Sequence, residues 1–474
     1  MTSSHADLPR VAVVGGGLAG LAAAVALRGA GCRVSLYEAR RQLGGRAASF
    51  SDPETGGWVD HCQHVSMGCC TNLADFCRRT QIGDLFRRDP VLHFIGPDLN
   101  RYDVRPSRWL PPPLHLAPAL MRLRYLTVMD RVRIAGGLWR LLRMSSTEAH
   151  DLPPVQQWLR SLGQSEAAIE RFWAVILVSA LGESLERASV VAARKVLVDG
   201  FMAARAACEI EVPRVPLSEV YGERLNSWLR DHGVQVHLGT AVQALEHSGN
   251  QQWRIVIAGL EPVHSDCVVA AVTWRRIAEL LPLETSVKLP WLPRLSEIHA
   301  APITAVHLWF DRSITQLPHA VIVGRLSQWL FSRGEDSTAD SAACHYYQVV
   351  ISASHNLSGR DRDDVVREVC EDLGAIWPQA RGARLLRARV VTDPIAVPSI
   401  GPTVERLRPS QETGVPGLFV AGDWTATGWP ATMEGAVRSG YLAAEAILKL
   451  SGHARKVLVP DLPRSWLARV LVRN

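Results

Sequence analysis

A chain of 474 residues is too long for one simple core and predicts two or more domains. Hydrophobic residues at 47% and charged residues at 21% exclude a disordered chain. A formal charge of only +6, with no long Lys/Arg run, argues against a nucleic acid partner.

The N-terminal MTSSHADLPR is short and polar and lacks the charged start and apolar run of a signal peptide, so export is not expected. Nine cysteines, an odd number scattered through a chain that needs no stapling, point to a reducing, cytoplasmic setting. Apolar runs such as 172–182 and 298–310 fall short of the roughly 20 residues that cross a bilayer, so no spanning helix is expected.

RVAVVGGGLAGLAAAVALRGAGCRVSLYEAR reads as strand, glycine turn, helix, turn and strand. Val11 to Val14 form the short apolar run of a buried parallel strand. Gly15, Gly17 and Gly20 give G-x-G-x-x-G. The first glycine permits a tight turn, the second a close approach of pyrophosphate, and the third helix–strand packing. Leu18 and Ala19 open the helix, whose N-terminal N–H groups face the phosphates. The second strand ends at Glu38, followed by Ala39 and Arg40, where an acidic side chain can hold an unphosphorylated ribose. Together these predict a dinucleotide site.

Gly44, Gly45 and Arg46 follow at once, and then DHCQHVSMGCC at 60–70. His61, Cys62, His64, Cys69 and Cys70 lack the closed C-x-x-C type of spacing that zinc takes, so no metal is expected. A disulfide between the adjacent Cys69 and Cys70 would be strained. The thiols read as small packing groups, which leaves Asp60, Gln63 and His64 as candidates for chemistry.

Further along, WLPPPLHLAPALMRLRYL mixes Trp109, Leu110, Leu114, Leu116 and Tyr125 with Arg108, Arg122 and Arg124. VYGERLNSWLRDHGVQVHLGTAVQALE predicts an amphipathic helix and then a strand, and DCVVAAV another buried strand. GLFVAGDW is an apolar strand ending at Gly422 and Asp423. It precedes the alanine-rich helix of ATMEGAVRSGYLAAEAIL, with Met433 and Ala436 on its first turn. The C-terminal LPRSWLARVLVRN repeats the apolar, aromatic and basic mixture. Such composition suits an interfacial helix or one packed on the protein's own core.

The GGR triplet after the dinucleotide unit, together with the terminal G-D and M-E-G-A segments, resembles the flavin amine oxidase and phytoene desaturase superfamily. DHCQHVSMGCCTNLADFCRRTQI, the Pro-rich segment, VTWRRIAELL and APITAVHLWFDR resemble more narrowly the squalene-associated FAD-dependent desaturases, or hydroxysqualene dehydroxylases, over most of residues 10–450. The resemblance implies FAD as cofactor. Arg46 would neutralise phosphate, Asp423 would bind the ribityl or phosphate region, 236–242 including Val242 would line the adenine pocket, and the helix from Met433 would face the flavin pyrimidine.

It also implies an α/β fold in which a discontinuous Rossmann-type FAD-binding domain (1–95, 205–285 and 405–450) is interleaved with an α+β substrate domain (96–204, mostly helical, and 286–404, mostly strands). The tail 451–474 would be interfacial. The implied reaction is reductive removal of the hydroxyl of hydroxysqualene, a long isoprenoid, fed by an unidentified electron donor, at a peripheral position on the inner face of a membrane. Asp60 or His64 would be the general acid, with His61 next. The family form of 60–64 is D-N-G-Q-H, so His61 and Cys62 replace its Asn and Gly. Thr432 stands where an amine oxidase would carry a tyrosine. Polyene desaturation and a flavin-binding scaffold without turnover remain the alternative readings, with amine oxidation behind them.

Overall fold

Five short strands gathered from distant stretches of the chain form one parallel sheet: β1 (Arg10–Val14), β2 (Arg33–Glu38), β3 (Gln235–Leu238), β4 (Cys267–Ala270) and β5 (Leu418–Val420), in the order β3-β2-β1-β4-β5. The computed structural model describes residues 8–473 apart from 54–55, 249–251 and 337–343. The polar start of the N-terminus, 1–7, lies outside the described residues.

Covered on both faces, Val11–Val14 of β1 and all of β4 are apolar throughout rather than alternating. One face carries helices α1 (Leu18–Gly29) and α2 (Met433–Leu450), which pack with β1 and β2 in a common core. The pair can approach because α1 is nearly all alanine where it meets Gly440. A β-carbon at 440 would sit 2.2 Å from the carbonyl oxygen of Ala19. The other face carries the antiparallel ribbon Val242–Ser248, Gln252–Ile257 and Val263–Ser265, packed around Trp253, Trp274 and Trp424. This is the α/β, Rossmann-type architecture that the glycine fingerprint predicts.

A second, seven-stranded sheet runs in the order Leu385–Pro398, Ala300–Phe310, Cys344–Ser352, Trp329–Asp336, His319–Ile322, Leu92–Ile95 and Arg101–Val104. All its neighbours are antiparallel except His319–Ile322 against Leu92–Ile95. The hairpin Leu92–Ile95/Arg101–Val104 belongs to this sheet, so the boundary expected at residue 95 falls inside it. Helix Arg362–Ile376 backs one face, through Val365, Val369 and Leu373 against Val306, Leu308 and Phe310. Residues 114–202 are mostly helical around Trp158, Trp173 and Leu197.

The tail from 452 runs across the molecule. Its Val457 and Leu458 N–H groups donate to Glu445, Asp461 accepts from Lys195 and Arg438, and Ala468 and Val472 are buried in the helical block. Among the described residues no helix is long and apolar enough to cross a membrane.

Candidate active site

The glycine turn is built as its spacing predicts. Gly15 has φ +113°, and a β-carbon there would meet the Ala271 carbonyl oxygen at 2.3 Å; one on Gly20 would meet the Gly15 carbonyl oxygen at 1.9 Å. These two glycines are demanded by the protein's own backbone. Gly17 is different. A β-carbon there would meet only the Gly45 Cα, at 3.9 Å, so its surface is left open beside a second glycine. Gly17 bridges to Gly44, and the Gly44 N–H donates to the Gly16 carbonyl at 2.9 Å, so the two glycine segments form one cradle.

Leu18 and Ala19, both buried, start α1 behind this cradle. Glu38, at the end of β2, accepts from the Gly16 N–H at 2.6 Å and the Arg40 N–H at 2.8 Å, which fixes its carboxylate at the crevice. Ala39 and Arg40 are exposed there, and Arg40 reaches the Gly45 carbonyl at 3.3 Å.

The far end of the chain closes the ring. Arg46 donates to the Ala396 carbonyl at 2.8 Å and to Asp423 Oδ1 at 2.6 Å. Gly422 (φ +153°) lies against the Trp424 indole, and its N–H donates to Ser439 Oγ of α2. Thr432 caps α2 by accepting from the Gly435 N–H, and Met433 and Ala436 are half-buried on the first turn. The cradle without β-carbons, the fixed acidic group at a strand end, the guanidinium and the two helix N-termini together fit a dinucleotide with a pyrophosphate and an acidic ring system. Val242 is buried in the ribbon core with Tyr37 and Trp253, and just before it Gly239 and Thr240 are held against the end of β2, donating to the Arg40 and Glu38 carbonyls.

Segment 60–64 lies next to this ring. His64 Nδ1 is 2.8 Å from the Cys62 carbonyl, so Nδ1 carries the proton and Nε2 is left as an acceptor. Burial, reinforced by Arg46 and His61, pulls the His64 pKa below its ordinary value and outweighs the opposing pull of the Cys62 carbonyl and Asp60. His61 packs on Phe50 and is likewise pulled down, by burial and then by Arg40, with Asp393 and Asp60 opposing. Neither His61 nor Cys62 has a positive φ, so this backbone asks for no glycine where the family carries one. Gly68 is required, because a β-carbon would sit 1.9 Å from the Ala206 carbonyl oxygen. Burial pushes the Cys62 thiol up to about 12, and Cys62, Cys69 and Cys70 are free thiols.

Asp60 is 3% exposed; Oδ1 accepts from Ser49 Oγ at 2.7 Å and from the Leu217 N–H at 2.9 Å, and Oδ2 is 3.5 Å from Arg333. Held between a cation and two donors, Asp60 ties the strand Trp58–Asp60 to residues 217–218.

Three residues near the site carry no sequence signal. Arg333 joins Gln63 Oε1, the Pro213 and Val215 carbonyls and Asp60. The buried Arg408 gathers the carbonyls of Asp423, Thr425 and Trp429 and so shapes the turn after β5. Asp393 is close enough to act on the charge states of Arg46, His61 and Cys62. Each acts through tertiary neighbours far away in sequence, which no local motif marks.

The geometry fits a dinucleotide, and the family that the chain matches makes it a flavoprotein oxidoreductase with FAD as its cofactor. Residues 18–448 match the flavin containing amine oxidoreductase family, and the chain belongs to it. It is 27% identical over 472 residues to 15-cis-phytoene desaturase of Synechococcus elongatus, covering 93% of this chain and 96% of the relative. It is 25% identical over 468 residues to the chloroplastic/chromoplastic 15-cis-phytoene desaturase of Glycine max, covering 93% and 79%. The fold is also that of cyclohexylamine oxidase from Brevibacterium oxydans, with a TM-score of 0.66 at 20% identity, covering 93% of this chain and 99% of that one.

Proposed function

We propose that this enzyme removes the hydroxyl of a long apolar isoprenoid, hydroxysqualene, to give squalene. One observation carries the substrate class. The segment that begins beside the cofactor ring at His61 and His64 continues through Cys62, Val65 and Met67 into an apolar cluster with Phe94, Val321 and Phe331. A hydrocarbon chain suits such surroundings; an ammonium group does not.

When bound and reduced, FAD would supply hydride. The chain's own residues supply the proton and the dry surroundings. A protonated His64 would give its Nε2 proton to the departing hydroxyl, releasing water and leaving an allylic cation shielded by the apolar cluster. The neutral His64 would recover its proton from solvent.

A second reading is desaturation of a polyene. It is favoured by the lowered pKa of His64, which makes Nε2 a proton acceptor near neutrality, and by the relatives named as phytoene desaturases. Photoreduced protein incubated anaerobically with hydroxysqualene and, separately, oxidised protein with a carotenoid precursor tests both. Flavin reoxidation with squalene formed supports the first reading, and flavin reduction by the polyene with a desaturated product supports the second. Yellow protein inert to both would leave a flavin-binding scaffold.

A further inference from the structure

Helix Val128–Arg143 is apolar on two opposite faces. Ile134, Gly137 and Leu141 point into the helical block, while Val128, Val132 and Trp139, at helical spacing on the other side, are exposed together with Met129. Trp109 is 93% exposed and Met121 56%. The terminal helix Trp466–Leu471 is fastened to the same region. Ser465 Oγ donates to the Pro112 carbonyl at 2.5 Å, the Arg473 N–H to the Leu142 carbonyl at 2.9 Å, and Arg143 to the Leu471 carbonyl at 3.4 Å. Its inner side buries Ala468, and its outer side presents Trp466 and Val470, each 69% exposed. Two segments far apart in the chain are therefore fastened together, each with exposed apolar and aromatic side chains.

The charge of that surface is one-sided. Residues 105–145 hold eight arginines and a single carboxylate, Asp130. Asp130 is buried and taken up by Thr127 and Ser165, with Arg133 the arginine that it acts on. Arg108, Arg122, Arg133, Arg140 and Arg469 are exposed around the apolar side chains. Exposed aliphatic residues would gain nothing from a nucleic acid, and aromatic residues ringed by arginines match the boundary between anionic headgroups and acyl chains.

A cleft of about 350 Å³ lies between Arg101–Asp103 and the segment's Ala119, Arg122 and Leu123. Its Tyr102 belongs, with Val104 and Tyr125, to the same apolar cluster as Cys62 and Val65. A bilayer seated on this surface would thus lie at one end of the cluster that reaches the loop beside the cofactor.

We propose that this face, formed by 105–143 and the terminal helix, docks the enzyme on an anionic phospholipid bilayer. The flavin-loaded full chain is sedimented with vesicles of phosphatidylcholine alone, or of phosphatidylcholine and phosphatidylglycerol in equal parts. Expected is binding at least tenfold tighter to the second, weakening as salt is raised. Trp109→Ala/Trp466→Ala should lower binding about tenfold, and Arg108→Glu/Arg122→Glu/Arg469→Glu should abolish the preference for phosphatidylglycerol. Leu283→Ser, an exposed apolar site on the flavin half, should change nothing.

Equal binding to both vesicle types, or binding indifferent to the surface substitutions, overturns the proposal. So does self-association that these substitutions abolish without any vesicle binding. Flavin content and turnover of detergent-dispersed substrate should be unaffected in the surface variants. The outcome is therefore separate from that of the proposed reaction.

Discussion

Arg46 and Asp423 are 377 positions apart in the chain and 2.6 Å apart in space. The pair joins the second glycine segment of the cradle to the turn after β5. Asp423 is almost fully buried, and the Ala396 carbonyl shares the same guanidinium.

Removing that carboxylate should therefore loosen the cofactor rather than the fold. Charge-assisted hydrogen bonds of this kind contribute about 1.5 to 3 kcal/mol, so Asp423→Ala is expected to raise the flavin dissociation constant roughly ten- to a hundredfold. Fluorescence of flavin released on dilution measures it, and unchanged retention would remove Asp423 from the site.

The glycines of the fingerprint should separate by effect. Gly17→Val places its side chain in open space beside Gly45, so the protein should fold, with the melting temperature of the flavin-free wild type, yet purify colourless. Gly20→Val drives a side chain into the Gly15 carbonyl and should cost folding itself. Gly17→Val with stoichiometric flavin would mean that the cradle does not hold the pyrophosphate.

His64 should reveal its role through pH. Its pKa lies below the ordinary histidine value, chiefly because it is buried. If it gives a proton to the leaving hydroxyl, the active form is the cation, and turnover should climb as pH falls through that lowered pKa, below about 6.5. If it takes a proton during desaturation, the active form is neutral, and turnover should rise with pH and level off near neutrality. His64→Ala should flatten the limb in either case and lower turnover about 100- to 10,000-fold with flavin still bound. A limb that persists in the variant would shift attention to His61.

Asp60→Asn should act first on stability. The buried carboxylate faces Arg333 and accepts from Ser49 and Leu217, and breaking a buried ion pair costs about 3 to 5 kcal/mol. Denaturant midpoints of the loaded enzyme should fall accordingly. A variant as stable as the wild type but inactive would return Asp60 to the chemistry.

Much of the cofactor site was legible in the chain itself, because its determinants are local. Gly15 and Gly20 are required by backbone within a single turn, Glu38 ends the next strand, and the apolar runs of β1, β4 and β5 mark strands buried on both faces. What a carboxylate or an imidazole can do depends on partners brought from elsewhere, and those were settled only by folding. Arg333 reaches Asp60 from 273 positions away, the Cys62 carbonyl sets the tautomer of His64 while burial lowers its pKa, and the Thr240 N–H is brought to the Glu38 carbonyl. The terminal helix, equally suited by composition to a core or to a membrane surface, buries Ala468 and exposes Trp466. Local sequence carries backbone geometry and periodicity, whereas charge state and exposure are sums over neighbours that only the tertiary structure assembles.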